Sequence, residues 1–548
     1  MALPGQQPGR PAFRRMAVRA RLAVALVGVL TAALLTTVVS TANAAEGDTV
    51  TVEQGQLRGT VGDGYRSFVG IPFAAPPTGD LRWKPPSEPA SWSGTRSATT
   101  AGSDCAQNSV DASGNPTVGG SEDCLYLNVY TPHTAGKSLS DAPVLVWIHG
   151  GVFVLGSGSQ YDPTTLVTEG NVIVVTVNYR LGPFGFLAHS DLDARGANSG
   201  VYGLLDQQAA LRWVQDNIAS FGGDSSNVTV AGESAGAMSI CDQLLAPSSA
   251  GLFQKAVVMS GPCDVTPLRA RSDAQAAGAD FAAQLGCSSN TASCLRAETT
   301  ADLLAASSEL GLTAWTPVVD GSFLTTGAEG FRSGDYTKLP SIIGGVRDEA
   351  HVFVEQQFDG TGNPVTAAQY PDVLTGIYGS TNGPLVAAEY PAESYSSPSL
   401  ALAAAQSDFS PTLPLGACSD LATYQATAPN AAVFAYEFAD TAAPSASSAL
   451  GTTAGAYHGS ELQYLFTITG FGDGPDLSST QATLAHQLRQ YWANFARGAD
   501  PNGRGLTSWP RYRSSSSVLA FAPSDGGGTR TVDIAARHNC SFWTELGY

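Results

Sequence analysis

The sequence predicts an α/β protein built on a large, mostly parallel β-sheet with helices on both faces. Two apolar runs, 144–148 and 172–177, contain at most one polar side chain each, which is typical of strands buried on both sides. Stretches of helical composition alternate with such runs, as the crossovers of a parallel sheet require. Short glycine-broken runs near the N-terminus predict an antiparallel meander in front of this sheet.

The predicted elements follow in a regular order. The meander spans 49–71, and a proline-rich extended segment follows it up to residue 86. Strands are predicted at 125–130, 144–148, 172–177, 227–233, 255–259, 341–345, 432–438 and 518–521. Helices are predicted at 202–219, 235–245, 270–285 and 478–497. No linker divides the chain after residue 44, so we expect a single domain over 45–548.

Residues 1–44 have the organisation of a secretory signal peptide. Arginines precede an apolar run from Leu22 to Val39, and small residues at 42–44 offer a cleavage motif that ends at Ala44. A permanent membrane anchor is the alternative, because the run is nearly long enough to span a bilayer. Thr and Gly interrupt the run, however, and a cleavage motif follows it. We therefore expect a secreted protein, cleaved near Ala44, without stable membrane association.

The charge balance excludes nucleic-acid binding. Residues 1–44 hold five of the 28 basic residues and none of the 47 acidic ones, which leaves 23 basic and 47 acidic residues and a formal charge of −24. Such a chain is repelled by nucleic acid. There is no basic stripe and no phosphate-binding P-loop, and we expect no cofactor. We also expect a monomeric protein.

Eight cysteines, all beyond residue 104, form an even set in a protein expected to fold in an oxidising compartment. Their spacing predicts local disulfides between Cys105 and Cys124 and between Cys287 and Cys294. A metal cluster is the alternative interpretation. We expect no metal, because the chain has neither a C-x-x-C motif nor a histidine at ligand spacing.

The segment 227–240, NVTVAGESAGAMSI, combines a β-branched strand, a sharp turn and a helix start around Ser234. Gly232 and Gly236, two residues before and after the serine, leave room for a cramped turn. This pattern is typical of a nucleophile elbow, in which the serine hydroxyl projects above a helix N-terminus. Because a chain so rich in Gly and Ser can contain G-x-S-x-G by chance, the flanking strand and helix carry more weight than the motif.

A serine nucleophile also requires backbone donors for the oxyanion that forms in acyl transfer. The turn His149-Gly-Gly-Val-Phe153 follows the predicted strand that ends at residue 148. Missing side chains in this turn let the backbone approach a bound carbonyl group. We expect the N–H groups of Gly151, Val152 and Ala235 to form the oxyanion hole.

The nucleophile needs a histidine base and an acid that orients it. His458, in the segment YHGSEL, is the best base candidate; His149 belongs to the oxyanion turn, and His351 lies two residues past an acid candidate. The remaining histidines lack a surrounding motif and are expected to be ordinary surface or packing residues: His133, His189, His486 and His538.

The acid candidates, Asp348 and Glu349, are adjacent at the end of a predicted strand, and the residues alone do not decide between them. The chain order of serine, acid and histidine matches the α/β-hydrolase order.

Together these segments resemble the type B carboxylesterase family, which includes bacterial para-nitrobenzyl esterases, animal carboxylesterases, cholinesterases and some fungal lipases. The matching segments run from Thr49 to the C-terminus: FVGIPF (68–73), SEDCLYLNVY (121–130), NYRLG (178–182), GLLDQ (203–207), FGGD (221–224), GESAG (232–236), DE (348–349), HGSE (458–461) and WANF (492–495). This combination is highly specific. It implies an α/β-hydrolase fold and hydrolysis of a small-molecule ester through an acyl-enzyme intermediate.

The resemblance also implies roles for particular residues. Ser234, Glu349 and His458 would form the catalytic triad, and Gly151, Val152 and Ala235 would supply the oxyanion donors. Glu233 resembles the family's additional acid beside the nucleophile, although a purely structural role is equally plausible. The resemblance implies the disulfides 105–124 and 287–294, and it also suggests Cys418–Cys540. Cys241 and Cys263 are then the two cysteines that remain, and they would pair with each other.

Two departures from the family pattern bear on the substrate. Val152 stands where many relatives have a third glycine, and its side chain should narrow the pocket while its N–H remains available. The loop between Cys105 and Cys124 lacks both the tryptophan of cholinesterase-like relatives and the long apolar lid of the lipases. We expect a carboxylesterase acting on small soluble esters. A lipase and a non-catalytic binding module of the same fold are the alternatives.

Overall fold

The computed structural model describes residues 48–110, 116–134, 138–193, 199–265, 268–413, 415–445, 455–469 and 476–548. These residues belong to one compact unit, Glu46–Tyr548. The signal peptide predicted for residues 1–44 lies outside the described residues.

The strands are between 2 and 11 residues long. Their bounds are Thr49–Val52 (β1), Gly55–Arg58 (β2), Thr60–Val61 (β3), Tyr65–Pro72 (β4), Thr95–Ser97 (β5), Gln107–Val110 (β6), Pro116–Gly119 (β7), Tyr126–Pro132 (β8), Ala142–Ile148 (β9), Tyr161–Asp162 (β10), Ile173–Val177 (β11), Gly223–Glu233 (β12), Lys255–Met259 (β13), Arg269–Ala270 (β14), Val318–Val319 (β15), Ser341–Val346 (β16), Val433–Phe438 (β17), Thr467–Ile468 (β18), Val518–Phe521 (β19) and Arg530–Val532 (β20).

The helices fall between these strands. Their bounds are Thr164–Gly170 (α1), Gly182–Phe186 (α2), Tyr202–Asn217 (α3), Ala235–Leu245 (α4), Arg271–Gln284 (α5), Thr291–Ala297 (α6), Thr300–Glu309 (α7), Glu329–Ser333 (α8), His351–Gln357 (α9), Tyr370–Glu389 (α10), Pro398–Asp408 (α11), Ala417–Thr427 (α12), Leu462–Leu465 (α13), Ser479–Gly498 (α14), Ile534–Arg537 (α15) and Cys540–Glu545 (α16). No helix in the described ranges is long and apolar enough to cross a membrane.

A mixed sheet of eleven strands forms the centre, in the order β20-β19-β17-β16-β13-β12-β9-β11-β8-β4-β3. The strands from β11 through β9, β12, β13, β16 and β17 to β19 pair in parallel. The edges are antiparallel, with β8, β4 and β3 on one side and β20 on the other. The predicted α/β-hydrolase architecture, a large mostly parallel sheet, is confirmed.

Side chains of the central strands pack alternately against two apolar layers. In β9, Val144, Val146 and Ile148 belong to the core that also contains residues of α3 and α4. Leu145 and Trp147 point to the opposite core, which contains residues of α1 and α14. This alternation is the pleat of a strand buried on both faces, and it explains why the sequence of β9 reads as a continuous apolar run.

The N-terminal meander is confirmed, with one addition. β1 and β2 pair antiparallel as predicted, and β5 joins β2 in parallel to form a separate three-stranded sheet. β3 and β4 instead extend the antiparallel edge of the central sheet. Four disulfides lie in the described residues: Cys105–Cys124, Cys241–Cys263, Cys287–Cys294 and Cys418–Cys540.

Candidate active site

Ser234 stands at the junction between β12 and α4, where the chain makes a sharp turn. Its backbone angles are φ 57° and ψ −126°, a conformation that costs a non-glycine residue about 1–3 kcal/mol. The flanking glycines permit this turn, because a Cβ at Gly236 would lie 2.1 Å from the carbonyl oxygen of Ile148 and one at Gly232 would lie 2.7 Å from it. The sequence prediction of an elbow at Ser234 therefore agrees with the observed backbone.

The turn after β9 brings its backbone against this serine. A Cβ at Gly150 would approach the Cβ of Ser234 to 3.0 Å, so only glycine fits there without a shift. Gly151, Val152 and Phe153 follow with φ of 102°, 56° and 63°. In the described part of the chain, the N–H groups of Gly151 and Val152 have no hydrogen-bond acceptor, which leaves them available to a ligand.

His149, in the same turn, is fixed by its own contacts. Its Nδ1 donates to the carbonyl oxygen of Gly150 at 2.8 Å, and its ring stacks on Tyr179 at 4.4 Å. Burial lowers the pKa of His149 to about 4, so the imidazole is neutral near pH 7. These contacts support a structural role for His149 rather than a role in proton transfer.

His458 lies shortly before α13, with its Nδ1 2.6 Å from Glu349 Oε2. Glu349 follows the end of β16 and is only 1% exposed. Its other oxygen, Oε1, accepts from the N–H of Val346 at 2.9 Å, which fixes the carboxylate in place. On the ring's other side, Phe353 of α9 packs against His458 at 5.0 Å between centroids. The imidazole is thus held on two sides.

Asp348, the second acid candidate, points to a different partner. Its Oδ2 accepts from the N–H of Ala456 at 2.8 Å, and its own N–H donates to the carbonyl oxygen of Ala456 at 3.0 Å. Arg347 Nε also donates to Asp348 Oδ1 at 3.1 Å. Asp348 therefore ties down the segment that carries His458 without a described contact to the imidazole.

Glu233 faces the free edge of the His458 ring. Its Oε1 lies 3.2 Å from His458 Nε2, outside hydrogen-bond geometry, and Nε2 has no hydrogen-bond partner among the described residues. Because Glu233 directly precedes Ser234, this contact brings the Nε2 edge of the ring to the nucleophile elbow. Burial, and secondarily the charge of Glu349, raise the pKa of Glu233 to about 7, although His458 opposes this shift.

Glu461 is a buried acid to which the sequence analysis gave no role. It is 2% exposed, and neither carboxylate oxygen has a hydrogen-bond partner among the described residues. Burial, followed by the charges of Glu233 and Glu349, raises its pKa well above the ordinary range. Its position three residues after His458 was the available signal, since side chains with this spacing meet on one face of a helical turn.

The three carboxyl groups determine the charge state of His458. Burial alone lowers the pKa of His458, but the charges of Glu233, Glu349 and Glu461 and the bond to Glu349 outweigh it and raise the pKa to about 9. Protons held on Glu461 and Glu233 reduce this effect, because a neutral carboxyl group no longer favours imidazolium. The protonation of the site is therefore shared among four side chains.

One group of described residues has the spacing of metal ligands, and it does not belong to this site. The group with ligand spacing in the described ranges is Cys287, Cys294 and Glu298. Its two sulfurs are joined in a disulfide, so they offer no thiolate to a metal ion.

Known proteins are similar to this chain in both sequence and fold. The sequence model of the carboxylesterase family matches residues 46–543. The fumonisin B1 esterase of Sphingopyxis macrogoltabida is 34% identical over 499 residues, which cover 87% of this chain and 86% of that protein. The para-nitrobenzyl esterase of Bacillus subtilis (strain 168) is 34% identical over 506 residues, which cover 87% of this chain and 95% of that protein.

Solved structures give the same result. A PNB esterase structure, 31% identical in sequence, superposes with a TM-score of 0.74 over 90% of this chain and 99% of its own. A thermophilic PNB esterase superposes with a TM-score of 0.73 at 31% identity and the same coverage. The similarity thus covers nearly the whole of both proteins, and the named relatives hydrolyse carboxylic esters. The chain belongs to the carboxylesterase family and is a carboxylic ester hydrolase.

Proposed function

We propose that this protein is a secreted serine carboxylesterase with Ser234, His458 and Glu349 as its catalytic triad. The observation that carries the proposal is the contact of 2.6 Å between His458 Nδ1 and Glu349 Oε2. This contact fixes the proton on Nδ1 and leaves Nε2 unprotonated in the neutral ring. It is the tautomer that a base for the Ser234 hydroxyl requires.

Acylation follows from this arrangement. His458 Nε2 takes the proton of Ser234 as Oγ attacks the ester carbonyl carbon, and the carbonyl oxygen becomes an oxyanion. The N–H groups of Gly151, Val152 and Ala235 donate to this oxygen. When the tetrahedral intermediate collapses, the bond to the alkoxy oxygen breaks, and His458 gives its proton to the departing alcohol.

Deacylation repeats these steps with water as the nucleophile. His458 takes a proton from the water, hydroxide adds to the acyl carbon, and the bond to Ser234 Oγ breaks. The proton returns to Ser234, and the carboxylic acid leaves. Glu349 stabilises the imidazolium in both halves without taking up the proton.

Glu233 has an electrostatic role in this scheme. When Glu233 is ionised, its carboxylate is a second negative charge, besides that of Glu349, that stabilises the imidazolium formed in each half-reaction. Glu233 Oε1 and His458 Nε2 are 3.2 Å apart in the resting enzyme. The same charge makes the neutral base harder to obtain at low pH, because it raises the pKa of His458. Glu233 should therefore affect rate and pH dependence together.

Short, soluble esters fit the site better than lipid emulsions. Val152 is 38% exposed in the turn whose Gly150 lies against Ser234, and its side chain occupies space that glycine would leave empty. The loop between Cys105 and Cys124 contains no aromatic residue and few bulky apolar ones, so it offers no apolar lid for an oil–water surface. Relatives named for fumonisin B1 and para-nitrobenzyl esters differ in substrate, so neither name transfers to this chain.

A fluorophosphonate probe tests the proposed nucleophile, because it forms a covalent bond only with an activated serine. We expect one adduct per chain, mapped by mass spectrometry to the peptide that contains Ser234. Glu349→Gln should slow the labelling strongly without changing its position. An adduct on another serine, or no adduct in an active enzyme, would reject the proposal.

A further inference from the structure

His538, outside the active site, is a buried imidazole that contacts a carboxylate with each ring nitrogen. Its Nδ1 lies 2.5 Å from Asp408 Oδ1, and its Nε2 lies 2.6 Å from Glu437 Oε1. The side chain is 3% exposed. Ionised carboxylates only accept hydrogen bonds, so both ring nitrogens carry protons when both acids are ionised, and the ring is then an imidazolium.

The electrostatic surroundings favour this charged form. Burial lowers the pKa of His538, but the hydrogen bonds and charges of Asp408 and Glu437 outweigh burial and raise the pKa to about 9. The hydroxyl of Tyr390 donates to the second oxygen of Asp408 at 2.6 Å. Arg537 contacts the second oxygen of Glu437 from the more exposed side. Each carboxylate of the pair therefore has a donor on both of its oxygens.

Gly345 lies between the carboxylates around His538 and the acid of the triad. Glu437 of β17 is the register partner of Gly345 in β16. A Cβ at Gly345 would lie 2.6 Å from Glu349 Oε1 and 2.7 Å from Asp420 Oδ2, so these two oxygens meet over the same glycine. Asp420, from α12, is 4% exposed. Two elements, β17 and α12, thus place acidic side chains behind the acid of the triad.

The pKa of Asp420 depends on the charges of these neighbours. Burial is the first cause that raises its pKa well above the ordinary range, and the charges of Glu349, Asp264 and Glu437 raise it further. The charge of His538 acts in the opposite direction and lowers the pKa of Asp420. The charge of His538 therefore affects Asp420 as well as its two hydrogen-bond partners, Asp408 and Glu437.

The cations near this cluster differ in burial and in their part in catalysis. His458 contacts Glu349, but His458 must gain and lose its proton in each catalytic cycle, so its charge is not constant. Arg332 pairs with Asp264 at 3.6 Å and its side chain is 58% exposed, so solvent screens it. Arg537 also contacts Glu437, but its side chain is 27% exposed. His538 is enclosed, and the disulfide Cys418–Cys540 joins its segment to α12.

We propose that His538 is a positioning residue for ester hydrolysis, whose positive charge balances the buried carboxylates behind Glu349 and holds the Glu349 carboxylate directed at His458. The inference rests on the proposed triad. A neutral residue at 538 would add one uncompensated negative charge to the cluster. His458 would then retain its proton to higher pH, because neighbouring negative charge raises the pKa of His458, and the acidic limb of the rate profile would move upward.

The test compares pH profiles of kcat/KM on a soluble nitrophenyl ester. His538→Gln should move the acidic limb up by roughly one pH unit, while kcat on the alkaline plateau changes by less than about threefold. His486→Gln is the matched control, because His486 also contacts a carboxylate, Glu169, but is exposed and remote from the triad. Its profile should equal that of the wild type.

A double variant separates charge from structure. His538→Gln with Glu437→Gln removes the cation together with one carboxylate, so the limb should return toward the wild-type position. A purely structural role for His538 predicts the opposite, since the double variant loses more contacts than the single one. An unshifted limb in folded His538→Gln, or the same shift in both variants, would overturn the proposal.

A measurement on the wild-type protein covers the case in which His538→Gln does not fold. Nuclear magnetic resonance of the histidine-labelled enzyme should show both ring nitrogens of His538 protonated from pH 5 to pH 8. A neutral ring at pH 7 would overturn the proposal regardless of activity. Failure of the triad itself would appear differently, as hydrolysis retained by Ser234→Ala.

Discussion

The imidazole of His458 and the carboxylate of Glu349 are joined Nδ1 to Oε2 at 2.6 Å, and Glu349 is held from behind by the N–H of Val346. The neighbouring Asp348 is turned toward the backbone of Ala456. Two adjacent acids thus have different partners, one a side chain and one a main-chain segment. Their substitutions should therefore have different consequences.

Glu349→Gln should lower the turnover number by about 10⁴ while leaving the fold intact, because an amide in place of the carboxylate favours the wrong tautomer of His458. Asp348→Asn should lower turnover far less, by about tenfold or less, and should act on stability by weakening the contacts to Ala456. Turnover numbers of both purified variants, with thermal unfolding midpoints, provide the measurement. The reverse order of activity would transfer the role of the acid to Asp348.

Glu233→Gln should move the acidic limb of kcat/KM to lower pH. Glu233 is among the charges that raise the pKa of His458, and the base works only when neutral, so activity is lost as pH falls through that pKa. Removing the charge lowers the pKa and lets the neutral base persist at lower pH, by roughly one unit. Profiles from pH 5 to 10 check this. A limb displaced upward would contradict the assigned direction.

The nucleophile elbow and the oxyanion turn could be predicted from the sequence because both depend on local backbone. The glycines around Ser234 are close in the chain, and their steric role is visible from composition. The residues and their chain order led to His458 and left Asp348 and Glu349 as alternatives. The family resemblance favoured Glu349, and the contacts of Asp348 at Ala456 support that choice.

Side chains brought together by tertiary structure were not predictable in this way. Asp420 and Glu437 look like ordinary acids in the sequence, and nothing near His538 indicates that it lies between two of them. α10 was also missed, since it contains Pro384 and a kink at Gly379 with φ of 82°. Both residues weaken a helical pattern locally, although the apolar packing of Leu374, Tyr378 and Val386 stabilises the helix.

Val152→Gly should broaden the acyl chain length that the enzyme accepts. Val152 adopts φ of 56°, which costs a β-branched residue about 1–2 kcal/mol, and it belongs to the turn in which Gly150 lies against Ser234. Glycine removes both the strain and the side chain. The kcat/KM for octanoate relative to acetate nitrophenyl esters should rise by about tenfold, the value of roughly 1.4 kcal/mol in a pocket. An unchanged ratio would show that Val152 does not limit the acyl group.

The disulfides should contribute to stability in the order of the loops they close. Cys418–Cys540 closes a separation of 122 residues, and Cys287–Cys294 closes one of 7. Loop entropy then assigns about 5 kcal/mol to the first and about 2 kcal/mol to the second. Urea unfolding of the two Cys→Ser double variants measures the difference. A larger loss for Cys287 and Cys294 would show that native contacts, rather than loop entropy, dominate.

The turnover number of Ser234→Ala on a soluble butyrate ester tests the central claim most directly. Ser234 is a partly buried corner residue, so its truncation opens no core cavity, and the variant should unfold near the wild-type temperature because only a hydroxyl is lost. We expect turnover to fall by about 10⁴ or more, together with loss of the acyl-enzyme burst. A folded Ser234→Ala protein that hydrolyses the ester at the wild-type rate would contradict the account.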